Sequence, residues 1–275
     1  MSSGALYLVG TPIGNLEDIT FRAVRVLREA DVIACEDTRQ SRKLLDHYGI
    51  GRPLISYHEH NEKERSVELA ARLRDGAKVA LISDAGMPLV SDPGYRLVRE
   101  ALDAGVPVHP IPGPTACMTA IAASGLPPEP LRFGGFLPAK AGARGRLLEA
   151  LATDPATLVF YEAPHRVLEA LADLERLMPR RPVVVARELT KLHEEFLRGT
   201  ASEVRAALEA RPTVRGEITL LVGPGPVETA DPRPVAEAVA ALVAAGTPPA
   251  EAVKMIARER GLPKREVYRE FLNRE

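Results

Sequence analysis

Three Gly- and Pro-rich loops, each placed directly after a short apolar run, carry the residue types from which ligand sites are built. The first is Gly10-Thr11-Pro12-Ile13-Gly14-Asn15 and the third is Pro110-Ile111-Pro112-Gly113-Pro114-Thr115-Ala116. The second runs Ser83-Asp84-Ala85-Gly86-Met87-Pro88-Leu89-Val90-Ser91-Asp92-Pro93-Gly94. Glycine lets a backbone come close to a ligand, and a helix that follows such a loop offers free N–H groups to a polar or carboxylate group. The second loop adds the carboxylates of Asp84 and Asp92 to its glycines and prolines, which is the make-up of a rigid ligand shelf. Nucleotide hydrolysis loses support, because the first loop has neither the three-glycine dinucleotide spacing nor a terminal Gly-Lys-Ser/Thr. Any one of these loops alone reads equally well as an ordinary turn. Three of them at strand ends point to one binding edge.

Four polar clusters accompany the loops. Glu36-Asp37-Thr38-Arg39 joins an acid pair to a cation; its alternative reading is a helix cap, since Asp and Thr favour helix starts. His58 and His60 alternate by two, so an extended segment would put both rings on one face beside Asn61. No third ligand accompanies them, and no metal site is expected. Lys191 stands among Arg187, Glu188, His193, Glu194 and Glu195, where the alternative is a solvated hairpin turn. Lys140, Arg144 and Arg146 in PAKAGARGR read as a mobile basic loop suited to a phosphate backbone, or else as a solubilising one. Pro164 favours a fixed helix entry after Tyr161-Glu162, which makes His165 structural rather than catalytic.

The elements that must position these groups alternate in kind. Residues 6–9, 32–35, 79–82 and 106–111 read as strands, with helices expected at 20–28, 41–48, 62–75 and 94–104. Such alternation predicts an α/β fold with a parallel sheet covered on both faces and a ligand outside the strands' carboxyl ends. A helix at 115–124 opens a second α/β unit, with strands at 158–161, 183–186, 195–199 and 218–222 and helices at 166–177 and 202–210. The stretch GPGPVETADPRP then breaks both kinds of structure. The expected division is residues 1–113, 114–226 and a helical tail at 234–275. Two short helices around Gly261-Leu262-Pro263 give that tail a helix-turn-helix look. Its Lys254, Arg258, Arg260, Lys264, Arg265, Arg269 and Arg274 outnumber five interspersed Glu, which suits either a phosphate-facing surface or a solvated bundle.

Bulk properties narrow the classes. The chain has 275 residues, 45% of them hydrophobic, enough to fill the cores of two ordinary lobes. A net charge of -1 argues against indiscriminate polyanion binding. Two cysteines, Cys35 and Cys117, are too few for a disulfide framework. No basic leader and no apolar run of membrane-spanning length is seen, so a soluble, cytoplasmic protein with no membrane role is expected.

The ordered set GTPIGN, EDTR, SYHEHN, SDAGMPLVSDPG, PGPTA, YEAPHR, ARELTKLHEEFLRG and GEITLLVGP resembles the tetrapyrrole methylase family. More narrowly, it resembles the family's bacterial branch of small-subunit ribosomal RNA cytidine 2'-O-methyltransferases, over nearly the whole chain. The resemblance implies two α/β domains with S-adenosyl-L-methionine in the cleft between them, no metal, and a homodimer. It places the cofactor against Asp84, Ala85, Gly86, Met87, Val90, Thr115 and Ala116, with Pro12, Glu162, Leu189 and Ile218 as the remaining walls. Met87 stands where corrin and porphyrin methylases have Asp, a departure typical of the RNA branch, and Asp84 or Asp92 compensates.

A ribose 2'-hydroxyl is weakly acidic, so its methylation gains from a base or from a group that stabilises a developing alkoxide. Glu36, Asp37 and Lys191 are the catalytic candidates. Arg39, His58, Asn61, Lys140, Arg144 and Arg146 are the candidates for RNA contact. Two other readings stand beside this one: a methyltransferase acting on a porphyrin or corrin, and a ligand-sensing helix-turn-helix protein that binds nucleic acid.

Overall fold

A computed structural model describes residues 4–225, 233–260 and 262–272, which form two compact units, 1–224 and 225–275. The first unit opens with five strands: β1 (Ala5–Val9), β2 (Val32–Cys35), β3 (Leu54–Ser56), β4 (Lys78–Ile82) and β5 (Val108–Ile111). They pair in parallel in the order β3-β2-β4-β1-β5. The helices between them are α1 (Phe21–Glu29), α2 (Thr38–His47), α3 (Glu62–Arg74) and α4 (Tyr95–Asp103). Strand alternation sorts the core into two layers. Ile33 and Cys35 pack with Leu27 of α1 and Leu45 of α2, while Val32 and Ala34 pack with Leu69 of α3 and Leu97 of α4. Both faces of the sheet are thereby covered, which is why its strands read as apolar runs. The order puts the carboxyl ends of β4, β1 and β5 side by side, and with them the three loops.

The second sheet follows α5 (Ala116–Ser124) and is mixed. Its elements are β6 (Leu131–Phe136), α6 (Ala141–Leu151), β7 (Thr157–Glu162), α7 (Val167–Leu177), β8 (Val183–Arg187), β9 (Glu195–Gly199), α8 (Ala201–Glu209) and β10 (Ile218–Val222). The order is β6-β7-β10-β8-β9, with only β6 and β7 parallel. Leu148, Leu171, Leu174 and Leu208 from α6, α7 and α8 fill one face. Cys117, Ala120 and Ile121 of α5 fill the other, joined there by Ile13 from the first loop. That isoleucine ties the two lobes of this unit into one core.

Three elements escape the sequence reading. β3 is only three residues long, and β6 carries Gly134-Gly135 in its middle, which looks like a turn. The expected basic loop is the start of α6 instead, because the small residues of AGARG favour no turn strongly enough to stop a helix. The second unit packs α9 (Val235–Ala244), α10 (Pro249–Arg260) and α11 (Lys264–Leu272) around Val239, Val253, Ile256 and Val267. Gly261, Arg274 and most of the GPGPVETADPRP stretch lie outside the described residues.

Arg181 is the largest fully buried side chain, and no carboxylate pairs with it among the described residues. Its guanidinium donates to the loop carbonyls of Gly223 (2.6 Å) and Ala156 (3.0 Å) and to that of Leu151 (2.7 Å), the last residue of α6, which also accepts from Asp154 N–H. The rigid fork of a guanidinium suits such a junction. Arg181→Ala is expected to leave the Gly223 and Ala156 carbonyls without this donor and lower the unfolding free energy by about 2–4 kcal/mol. Urea denaturation measures this, and a loss under about 1 kcal/mol contradicts the role.

Candidate functional site

The three loops meet by backbone contact. Thr11 N–H donates to Gly86 O at 2.9 Å and Gly86 N–H to Thr11 O at 3.1 Å, a two-residue antiparallel bridge between the loops after β1 and β4. The Thr11 hydroxyl, 1% exposed, donates to Ser83 O at 3.2 Å. Gly86 has φ +82°, which glycine adopts without strain. A Cβ placed on Gly10 would stand 2.7 Å from Gly113 Cα and 2.7 Å from Met87 Sδ. Met87 therefore packs against the first loop, and its position carries no polar function.

A cavity of about 330 Å³ opens between this edge and the ends of β7 and β10. From the first lobe it is lined by Ile13, Asp84, Ala85, Gly86, Met87, Val90, Ser91 and Asp92. Thr115 and Ala116 at the start of α5 line it as well, with the Thr115 hydroxyl capping that helix. The second lobe adds Phe136, Tyr161, Glu162, Ala163, Pro164, Leu189, Gly216, Glu217, Ile218 and Thr219. Two apolar wall residues are held alike. Val90 lies between Leu89 (φ +71°) and Ser91 (φ +69°), and Leu189 between Glu188 (φ +52°) and Thr190 (φ +66°). Left-handed backbone at non-glycine residues costs about 1 kcal/mol each and persists only where surrounding contacts fix it.

The cavity's carboxylates differ in their partners. Glu162 is 3% exposed; Oε1 takes hydrogen bonds from Arg166 and from Ala163 N–H, both at 2.7 Å, while Oε2 is buried and has no partner. Asp84 accepts from Asp37 N–H at 3.1 Å, and neither it nor Asp92 meets a cation among the described residues. Burial pushes Asp84 up, and it pushes Asp92 to about 6, with the charges of Glu36 and Asp84 adding to the rise. Glu36, just outside the lining, is raised by burial and then by Asp84, while His58 pulls it down.

The remaining expected residues divide sharply. Pro12 does not line the cavity; its neighbour Ile13 does, because the side chain after the proline turns inward. Asp37 is the N-cap of α2, accepting from Arg39 N–H at 2.8 Å, so the capping reading holds for it. The Arg39 side chain is 90% exposed and lies beside Asp37. Lys191 is outside the lining and is bound by Glu188 (2.9 Å) and Glu217 (3.1 Å). Burial lowers its pKa, but the two carboxylates outweigh that and hold it raised. His58 and His60 lie in a turn rather than on an extended segment, with ring centroids 5.9 Å apart; Asn61 shapes that turn by bonding His58 N–H and Ser56 O. Arg144 corrects the basic-loop expectation: it is 2% exposed and committed to Asp173 (2.8 Å) and Glu169 (3.2 Å), whereas Lys140 and Arg146 are exposed. Among the residues not foreseen, Tyr161, Ala163 and Pro164 lie in YEAPHR, and Gly216, Glu217 and Thr219 in GEITLLVGP. Phe136 belongs to the strand that the Gly pair hid.

The raised Asp92 gives a signed pH dependence. A carboxyl whose folded pKa lies near 6, above its ordinary value of 3.8, favours the folded state fully below pH 3.8 and loses that contribution as pH rises through 6. Asp92→Asn is expected to raise the melting temperature at pH 7 and to leave it unchanged at pH 4. Equal shifts at both values contradict the burial of an ionised Asp92.

Comparison with known proteins agrees with this architecture. Residues 5–205 match the model of the tetrapyrrole (corrin/porphyrin) methylases. A Halalkalibacterium halodurans protein named ribosomal RNA small subunit methyltransferase I is 50% identical over 273 residues, covering 96% of this chain and 93% of its own. The Pseudomonas aeruginosa protein of the same name is 44% identical over 279 residues, covering 100% and 99%. Among solved structures, uroporphyrin-III C-methyltransferase from Thermus thermophilus, complexed with S-adenosyl homocysteine, is 26% identical with TM-score 0.57, covering 80% of this chain and 97% of its own. The methyltransferase CobJ, at 21% identity and TM-score 0.61, shares the fold. With nearly three quarters of its length matched, from β1 through β9, this chain belongs to the tetrapyrrole methylase family.

Proposed function

We propose that this chain is an S-adenosylmethionine-dependent methyltransferase of small-subunit ribosomal RNA, acting on the 2'-hydroxyl of a cytidine. The observation that carries the choice of RNA is near-complete coverage, at about half identity, by relatives named for that substrate. The tetrapyrrole reading has in its favour the family model and structural neighbours of 20–24% identity, but no match of comparable identity.

The cavity suits this cofactor. Val90, Met87, Leu189 and Ile218 offer apolar walls to an adenine ring, and Glu162 Oε2 is an acceptor awaiting a donor. Arg166 already balances the charge of Glu162, so a neutral N–H or O–H fits there. Asp84 and Asp92 are unbalanced carboxylates, the surroundings that a sulfonium and an ammonium need. Once bound, the cofactor supplies a methyl group on a positively charged sulfur. The chain holds that carbon in line with the acceptor oxygen, which is the larger part of the acceleration. As the C–O bond forms and the C–S bond breaks, the hydroxyl proton needs an acceptor. Of the candidates, Asp37 is engaged as a cap and Lys191 as a paired cation, so Glu36 takes the role. Its raised pKa makes it the stronger base. His58, near enough to lower the Glu36 pKa, and Asn61, which bonds His58, are the proposed contacts to the nucleoside, while Arg39, Lys140 and Arg146 are exposed cations for phosphates.

No helix among the described residues is long and apolar enough to cross a membrane. A homodimer and a cytoplasmic location belong to the same proposal. Support for the dimer comes from Phe21 (97% exposed), Leu192 (93%) and Met118 (57%), each within two residues of Thr20, Thr190 or Thr119, which line one hollow of about 400 Å³. An exposed apolar rim of that kind marks an association surface.

Two experiments test the proposal. Incubated with radiolabelled S-adenosylmethionine, the protein is expected to label small ribosomal subunits that lack the modification; label entering only a tetrapyrrole overturns the RNA reading. Glu36→Gln is expected to lower kcat by about 10²-fold with unchanged affinity for S-adenosylhomocysteine. An unaltered kcat removes Glu36 from the chemistry.

A further inference from the structure

The last helix of the C-terminal helical unit segregates charge. On α11, Val267 is fully buried and Phe271 is half-buried against the unit's core. At helical spacing, Lys264, Tyr268 and Leu272 form one row, and Arg265 and Arg269 form the row beside it. All five are exposed. Glu266 and Glu270 fall in a separate row, so the acids that alternate with the cations in sequence do not alternate on the surface. Among the described residues, none of Lys264, Arg265 and Arg269 is held in an ion pair. On α10, Lys254 and Arg258, one turn apart, are likewise exposed on the side opposite Ala252, Val253, Ile256 and Ala257.

Three such cations around an exposed Tyr, on the second helix of a helix-turn-helix, match a polyanion that also offers π faces. We infer that the Lys264, Arg265, Tyr268 and Arg269 face of α11 docks on RNA. The cations sit against phosphates and Tyr268 against an unstacked base. A deep, narrow A-form groove excludes a helix, so the contact is to backbone and loop rather than to base edges within a duplex. The surface adds substrate affinity without touching the chemistry. This inference rests on the proposed RNA substrate, and it is independent of how the cavity binds its cofactor.

The test uses the full chain with Lys264→Gln, Arg265→Gln and Arg269→Gln combined, and a control with Glu266→Gln and Glu270→Gln. With small ribosomal subunits as substrate, the triple variant is expected to raise KM at least about tenfold, with kcat and S-adenosylhomocysteine affinity unchanged. It should also flatten the salt dependence of log KM by about 3 in slope, one for each phosphate no longer neutralised. The control is expected to leave KM unchanged or to lower it. A triple variant with parental KM and salt slope overturns the inference, as does a raised KM traced by sedimentation to a changed oligomeric state, which would make the face a contact between copies. Should the parent protein fail to methylate the subunit at all, the underlying RNA reading has failed instead.

Discussion

The site depends on the approach of three backbones. The loops after β1, β4 and β5 touch at Gly10, Gly86 and Gly113, so closely that a single methyl group on Gly10 or Gly113 would lie within 3 Å of another main chain. The Thr11–Gly86 bridge satisfies the backbone groups that this approach takes from water. From it follow the position of Met87, the turn that carries Val90 and Asp92, and the start of α5 at Thr115. A parallel sheet supplies the condition, since it delivers every strand's carboxyl end to one edge.

Against that rigid edge the second lobe brings a different chemistry. The two carboxylates in its wall are balanced, Glu162 by Arg166 and Glu217 by Lys191, while the first lobe's wall carries carboxylates that no cation meets among the described residues. A buried or half-buried carboxylate without a cation is costly and persists where a ligand supplies the missing charge. The cavity is therefore electrically incomplete, and the sulfonium of the cofactor proposed for it carries the missing charge. Ile13 links the lobes through the core under α5, so the two walls keep a fixed separation.

Much of this was legible in the sequence because it depends on local rules. Apolar runs of four or five residues marked β1, β2 and β4, and Gly and Pro marked the loops after β1 and β4, whereas the cofactor positions came from family resemblance alone, ten of the eleven lying in the cavity wall. What stayed hidden depends on partners distant in sequence. Arg144 looked like a surface cation until Asp173 and Glu169 of another helix buried it. β6 stayed hidden because its Gly pair, with Phe160 too close for a side chain at Gly134, interrupts the apolar pattern of a strand. Asp37 and Glu36 are adjacent and chemically alike; the capping bond to Arg39 N–H and the burial of Glu36 set them apart only in the folded chain.

The most direct test of the central claim is a crystal structure grown with S-adenosylhomocysteine. The adenosyl group is expected against Leu189 and Ile218, within hydrogen-bond reach of Glu162 Oε2, and the homocysteine end over the loop from Asp84 to Asp92. Ligand bound elsewhere, such as in the hollow beside Thr20 and Thr119, or bound in this cavity in the reverse sense, would contradict it.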